Sequence, residues 1–475
     1  MCFLCKSGFN IDHGLKVGDG TTSSGYNNNA YKTGTLDDAL MLGIKYGLTA
    51  LGTSATVSYT FNVPNILTIN EQYKNLVASG LSKWENVANI TFDYKIPSAA
   101  VNSTVNILFG IDSTLLPDGI LGITYPTFTG NQYNKADIDV ATENNGQFPF
   151  DIGLTIAHEI GHGIGLKHPF TDGSGLNPTL PANLDTNDYT LMSYTYGTYA
   201  NQNNLPTGPM YIDIMAVQRL YGANMGANSG NTVYNYGGEK QVFTLWDGNG
   251  IDTINFNTYA GGAVIDLAGG LSNVSRIGET VFWIYKEIVE NVDAGNGNDV
   301  ILGNSLNNFV SARQGNDTVI VGQGDDVVWG GQGIDSIRGG KGNDVINGNI
   351  GDDTVSGDIG NDLLNGGRDQ DIINGGEGND TLSGDLGNDN LDGGSGEDTY
   401  IFNPGAGLDI VSTFEGAGSA GGDIIQISRG IYGSVAEVLQ HISLQNGNTY
   451  IDIGGGSIIS ILGISSLNAN DITVV

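Results

Sequence analysis

The run His158-Glu159-Ile160-Gly161-His162-Gly163-Ile164-Gly165-Leu166-Lys167-His168-Pro169 reads H-E-x-x-H-x-x-G-x-x-H-P. The chain has 5 histidines, and this run holds three of them; His13 and His441 stand alone. A compact cluster of neutral imidazoles is a ligand set for zinc. His158 and His162 are four apart, so on a helix one lies above the other on a single face. The apolar stretch 150–157 (FDIGLTIA) predicts the buried start of that helix. Gly165 supplies the left-handed backbone that ends a helix and turns His168 back toward the other two rings. Three protein ligands leave a fourth position open, the pattern of a catalytic rather than a structural site. Glu159, beside the first ligand, is placed to act as general base. The plainer reading is a buried helix with incidental histidines. The third histidine at this offset, the glycine between and the proline after it argue against that.

The extended motif resembles that of the metzincin zinc proteases, and Pro169 points to their serralysin branch. Downstream, Tyr189-Thr190-Leu191-Met192-Ser193-Tyr194 is similar to the S-x-M-S-Y methionine turn of that branch. The resemblance implies that Met192 forms an apolar floor under the histidines. It implies that Tyr194 is an additional zinc ligand, which swings away when substrate binds and then donates a hydrogen bond to the oxyanion. Residues 212–224 (IDIMAVQRLYGAN) resemble the helix after that turn, and residues 81–92 (LSKWENVANITF) resemble the family's first long helix running into a strand. The resemblance covers most of residues 35–475. Gly163 stands where alanine is usual, and Thr195 stands where an aromatic is common; both departures bear on the cleft rather than on zinc.

At 475 residues the chain is long enough for two or more domains. With 51 acidic against 18 basic residues it carries a formal charge of −33, which argues against nucleic acid or anionic membrane as a partner and for cations. Glycine, at 74, is far above the usual share, yet 39% hydrophobic residues suffice for a buried core. No apolar run approaches membrane-spanning length. The N-terminus has no adequate apolar region for an ordinary secretory signal.

From Ala294 to Ile401 the chain falls into a nine-residue period, shown cleanly by Gly339-Gly340-Lys341-Gly342-Asn343-Asp344-Val345-Ile346-Asn347. This is the G-G-x-G-x-D-x-U-x repeat of calcium-binding parallel β-rolls. Its sixth position is Asp299, Asn308, Asp317, Asp326, Asp335, Asp344, Asp353, Asp362, Asp371, Asp380, Asp389 and Asp398. Position eight is mostly apolar: Ile301, Val328, Ile337, Ile346, Leu364, Ile373 and Leu382 among others. Glycine carbonyls and aspartate carboxylates are hard oxygen ligands suited to calcium. Two units make one coil, so like turns stack and hold calcium between them. Without calcium the stacked charges predict a largely unfolded half, coupling metal to folding. The unit from Gly303, with Leu306 and Asn308, and the unit from Gly366, with Asp369 in place of glycine, look weakened. A flexible low-complexity linker is the bland alternative, and the regular phasing argues against it.

By resemblance, further calcium sites precede the repeats. Asp247 and Asp252 lie in a loop like the family's, Glu290 matches another ligand, and Asn228, Gly230 and Thr232 match the facing segment. Cys2 and Cys5, the only two cysteines, lie where the family carries a removable N-terminal extension. A thiolate in the open zinc position would make them a zymogen switch; an uninvolved pair, or a disulfide lost with the extension, is the alternative.

The expected fold is an α+β metzincin catalytic domain followed by an all-β parallel β-roll domain. The expected boundaries are 1–20 for the propeptide-like extension, 21–225 for the zinc metalloprotease domain and 226–293 for a connecting β segment with calcium sites. The β-roll follows over 294–401, and a β cap over 402–475 bears a type I secretion signal. The function the resemblance implies is a secreted zinc endopeptidase of broad specificity, with one catalytic Zn²⁺ and several structural Ca²⁺. Its substrates would be polypeptides, laid as an added strand on the segment 119–125 (GILGITY). A small proteinaceous inhibitor and a type I secretion apparatus are further expected partners, with neither nucleic acid nor a membrane span, and with the chain monomeric. The location implied is outside a Gram-negative bacterium, where calcium is high. A calcium-dependent adhesion protein with a vestigial protease domain, or another repeat-bearing hydrolase such as a lipase, are the rivals. Intact Glu159 and histidines argue against the first. The absence of a convincing G-x-S-x-G triad argues against the second.

Overall fold

The computed structural model describes residues 51–62, 71–111, 122–129, 132–140, 152–170, 179–201, 203–416 and 422–475. Cys2, Cys5 and residues 119–121 lie outside them. Packing divides the described chain into two units: residues up to 229 with 241–249, and residues 230–240 with 250–475.

The first unit is built on a five-stranded sheet of order β2-β1-β3-β5-β4. Its strands are β1 (Ala55–Phe61), β2 (Ile90–Tyr94), β3 (Ile107–Ile111), β4 (Gly122–Thr129) and β5 (Gln132–Val140). Four run parallel; β4 lies antiparallel to β5 and forms the edge. The helices are α1 (Glu71–Val87), the single turn α2 (Ala99–Asn102), α3 (Ile152–Gly163) and α4 (Tyr211–Tyr221).

Helix α1 buries Tyr73, Val77, Gly80, Leu81, Trp84 and Val87, a stripe at helical spacing. The stripe faces α3. A β-carbon on Gly80 would sit 2.9 Å from Ile160 Cδ1, so the glycine sets how closely the helices approach. The Trp84 indole N–H donates to the Ala157 carbonyl at 2.9 Å. On its other side α3 meets the sheet, with Gly163 against Ile138, Ile107 and Ala136. Helix α3 is therefore buried in all residues but Gly153, as its apolar sequence predicts. Gly165, at φ 108°, ends this segment, and the Leu166 N–H returns to the Gly161 carbonyl at 2.9 Å.

The second unit is a long roll of two sheets, parallel through the repeats and with antiparallel strands joining one of them at either end. The strands Thr318–Gln323, Ser336–Lys341, Thr354–Ile359 and Ile372–Glu377 stack in one sheet; Val327–Gln332, Val345–Ile350, Leu363–Arg368 and Thr381–Leu386 stack in the other. Partners sit eighteen residues apart, for example Val319 on Ile337 and Ile346 on Leu364, which is two repeats per coil. The eighth-position side chains Val328, Ile337, Ile346, Leu364, Ile373 and Leu382 fill the interior, none more than 2% exposed. Asp369 takes φ 80° in the place of a glycine, so the irregular unit keeps the repeat's backbone; the cost is about 1–2 kcal/mol of backbone strain. Beyond the repeats, the strands Leu408–Thr413, Ile424–Ile427, Ser457–Ile461 and Ile472–Val474 continue the two sheets in parallel. Among the described residues no helix is long and apolar enough to cross a membrane.

Candidate metal centre

The three histidines of the motif come together as their spacing predicts. Their ligand atoms lie within 4.8 Å of one another, and all three residues are buried. His162 Nε2 is 3.0 Å and His158 Nε2 is 3.3 Å from His168 Nε2. The remaining nitrogens fix the tautomers. His158 Nδ1–H donates to the Leu191 carbonyl at 2.8 Å, and His162 Nδ1–H donates to the Leu166 carbonyl at 3.0 Å. A carbonyl can only accept, so both rings carry their proton on Nδ1 and present bare Nε2 lone pairs inward. Burial, with the neighbouring imidazoles, holds the His158 pKa well below the usual histidine range. Two bare Nε2 lone pairs converging on the third imidazole in one buried cluster are a good zinc cage, so these residues fit the metal.

Tyr194 reaches the same point: its hydroxyl is 2.7 Å from His168 Nε2. Met192 is fully buried, its sulfur against Gly161 on the helix that carries His158 and His162. Glu159, next in sequence to His158, is buried, and burial pushes its carboxyl up to about 7, against the lowering effect of a hydrogen bond from Thr124.

Three features are absent from the sequence reading. Thr124, on β4, donates to Glu159. Phe170 stacks on His168 with ring centres 5.0 Å apart and an interplanar angle of 6°, and lies 5.2 Å from Tyr194. Asp213, in the first turn of α4 and 0% exposed, accepts from Thr190 Oγ1, the Leu191 N–H and the Met210 N–H at 2.6, 2.6 and 2.8 Å. It fixes the segment whose Leu191 carbonyl orients His158. An acidic residue three positions into a helix after a methionine turn was the available signal; Thr124 and Phe170 had none beyond their neighbourhood.

The calcium candidates form a ladder. The N–H of each repeat aspartate donates to Oδ1 of the aspartate eighteen residues on: Asp299 to Asp317 at 2.7 Å, Asp335 to Asp353 at 2.8 Å, Asp344 to Asp362 at 2.7 Å, and so along both edges. The other oxygen, Oδ2, is buried without a hydrogen-bond partner in Asp317, Asp326, Asp335, Asp344, Asp353, Asp362, Asp371, Asp380, Asp389 and Asp398. Orphaned buried carboxylate oxygens in stacked Gly-rich turns are what a hard cation would satisfy, so the residues fit calcium. Asp299 differs, its Oδ2 accepting from the Gly295 N–H at 3.3 Å. Asn308 keeps the ladder, its N–H donating to Asp326 Oδ1 at 2.6 Å. The ladder runs on to Asp409 and Asp423, which accept from the N–H groups of Asp389 and Asp398. Strict nine-residue phasing missed these two because the steps lengthen to 20 and 25 residues.

Of the candidates before the repeats, Asp252 and Glu290 meet. The Asp252 N–H donates to Glu290 Oε2 at 2.7 Å, and Asp252 Oδ1 accepts from the Thr232 N–H at 2.8 Å. Asp247 Oδ1 accepts from the Asn249 N–H at 2.9 Å within its own turn.

The matrixin family model matches residues 52–222, and that of the RTX calcium-binding nonapeptide repeat matches residues 293–328, 329–364 and 365–400. The chain is 32% identical over 273 residues to metallopeptidase AprA of Pseudomonas marginalis, covering 51% of this chain and 56% of that protein. It is 32% identical over 245 residues to serralysin A of Dickeya chrysanthemi, covering 47% and 51%. It is 29% identical over 309 residues to the serralysin of Proteus mirabilis, covering 56% and 62%. The chain thus spans little more than half the length of these relatives. Within one polypeptide it joins a matrixin peptidase domain, whose zinc site is the cluster His158, His162 and His168, to a run of RTX calcium-binding repeats.

Proposed function

We propose that the protein is an extracellular, calcium-stabilised zinc endopeptidase acting on polypeptides with broad specificity. The observation that carries this is the constellation of Glu159, Tyr194 and three inward-facing Nε2 atoms in one buried site. Zinc held there supplies Lewis-acid polarisation of the scissile carbonyl. Glu159, next in sequence to the first histidine and buried, takes the proton of the attacking water and delivers it to the leaving amine. The Tyr194 hydroxyl donates to the developing oxyanion. Among the described residues, strand β4 is one of the two edges of the sheet. Substrate pairing there through main-chain hydrogen bonds reads no side chain, which favours breadth of specificity.

The repeats support folding outside the cell, where calcium is abundant, and resemblance supports type I export from a Gram-negative bacterium and control by a small inhibitor. The zymogen reading of Cys2 and Cys5 rests on their place in the chain; the family's extensions usually lack cysteine, so the resemblance does not carry it. The test is casein cleavage by the wild type and Glu159→Ala, each with and without o-phenanthroline. The expected result is loss of cleavage in the mutant and on chelation; equal cleavage by Glu159→Ala overturns the reading.

A further inference from the structure

Thr124 lies on the edge strand β4 with its side chain turned toward α3. Its Oγ1 is 2.7 Å from Glu159 Oε2 and 3.0 Å from the Glu159 carbonyl oxygen. A hydroxyl has one proton to give, and the nearer, charged carboxylate is the stronger acceptor. Both residues are buried, Thr124 at 3% and Glu159 at 6% exposure. Among the described residues Thr124 is the hydrogen-bond partner of this carboxylate. The bond occupies Oε2 and leaves Oε1 for a reacting proton. Gly122, two residues earlier on the same face of β4, closes the wall: a β-carbon there would be 2.9 Å from Glu159 Cγ. The edge strand therefore confines both the stem and the head of a side chain with three rotatable bonds.

We propose that Thr124 is a positioning residue for Glu159, fixing the carboxylate in its working rotamer from the strand on which the substrate would pair. This rests on the reading of Glu159 as general base. It adds that strand and base move as one body, so seating a peptide on β4 also registers the base against the scissile bond.

The test compares Thr124→Val, which keeps the shape and loses the hydroxyl, with Thr124→Ser, which keeps the hydroxyl, and with Glu159→Ala. Each is assayed in calcium for kcat and KM on one quenched fluorogenic peptide, for zinc affinity by chelator competition, and for its melting temperature. The expected result for Thr124→Val is a kcat about 10- to 100-fold lower, part of what a general base contributes. KM and zinc affinity should stay at wild-type values, the melting temperature should fall because a buried carboxylate loses its donor, and Thr124→Ser should recover most of kcat. Wild-type kcat in Thr124→Val beside an inactive Glu159→Ala overturns the proposal and leaves the base reading intact. Activity in Glu159→Ala overturns both. Equal losses in the serine and valine variants, or a loss of zinc affinity in the valine variant, show that the side chain acts by packing, and also overturn it.

Discussion

The sulfur of Met192 rests on the backbone of Gly161, so close that a β-carbon on the glycine would lie 2.7 Å from it. The segment carrying Met192 and the helix that carries His158 and His162 are thus held in contact through a missing side chain. Trp84 closes the same spot, 3.0 Å from that β-carbon position.

Gly161→Ala should therefore force the methionine turn away from α3. The expected cost is about 1–3 kcal/mol, as for other overpacked cores, with weaker zinc binding because His158 is oriented by Leu191 in that turn. Urea denaturation and chelator competition measure the two effects. An unchanged zinc affinity would show that this contact does not register the histidines.

Asp213→Asn should act on the same turn from the other side. One carboxylate oxygen becomes an N–H₂ group: toward the Leu191 and Met210 N–H groups it meets only donors, and toward Thr190 it reverses the bond to a hydroxyl that also accepts from the Met192 N–H. A buried unsatisfied donor costs about 1–3 kcal/mol. Loss of a carbonyl that orients a ligand weakens metal affinity roughly 10- to 100-fold. Zinc titration of the variant in calcium checks this.

The calcium-free roll should become less stable as pH rises. Burial, with neighbouring carboxylates for several of them, raises the ladder aspartates to about 6 for Asp335 and Asp389, about 7 for Asp317, Asp344 and Asp353, and about 8 for Asp371. These values lie above the unfolded range of about 4. A folded-state pKa above the unfolded one gives stability that is full below the unfolded value and is lost as pH climbs through the folded one. The loss should therefore run from about pH 4 to pH 8 in chelator, and calcium should abolish it. Circular dichroism melts at the two ends of that range, with and without calcium, decide it; chelator melts that rise with pH would refute the ladder's charge cost.

Asp353→Asn should separate the two halves of that balance. Asn308 already shows an amide in the ladder, donating to the Glu290 carbonyl at 2.8 Å and to Asn304 Oδ1 at 3.0 Å. Removing one buried charge should stabilise the roll in chelator and raise the calcium concentration needed to complete folding. A calcium titration followed by circular dichroism reads both; a lower midpoint would remove Asp353 from the ligand set.

Much of this was legible in the chain because it was periodic. The offsets among His158, His162 and His168 carried the metal centre, and the nine-residue beat carried the roll. What was hidden lay in contacts between distant segments. Nothing local marks Thr124 as the partner of Glu159, or Phe170 as the ring lying on His168. Asp409 and Asp423 were lost when the beat lengthened. The departure at Gly163 has a physical account: a β-carbon there would meet Ile138 Cδ1 at 3.2 Å, so the isoleucine fills the room an alanine would take. Thr195 is exposed, its N–H bonded to Ser193 Oγ at 3.1 Å.

The eighteen-residue step between stacked strands makes the roll a one-dimensional lattice in which each coil knows only its neighbours. Within the repeats its length can change without shifting later strands only by whole coils. Excising eighteen residues brings like faces together and leaves the aspartate ladder in register. Excising nine sends every later strand to the opposite sheet and sets the tail of the chain against the wrong edge. Evolution of such a protein proceeds by even counts of a unit it can only read in pairs.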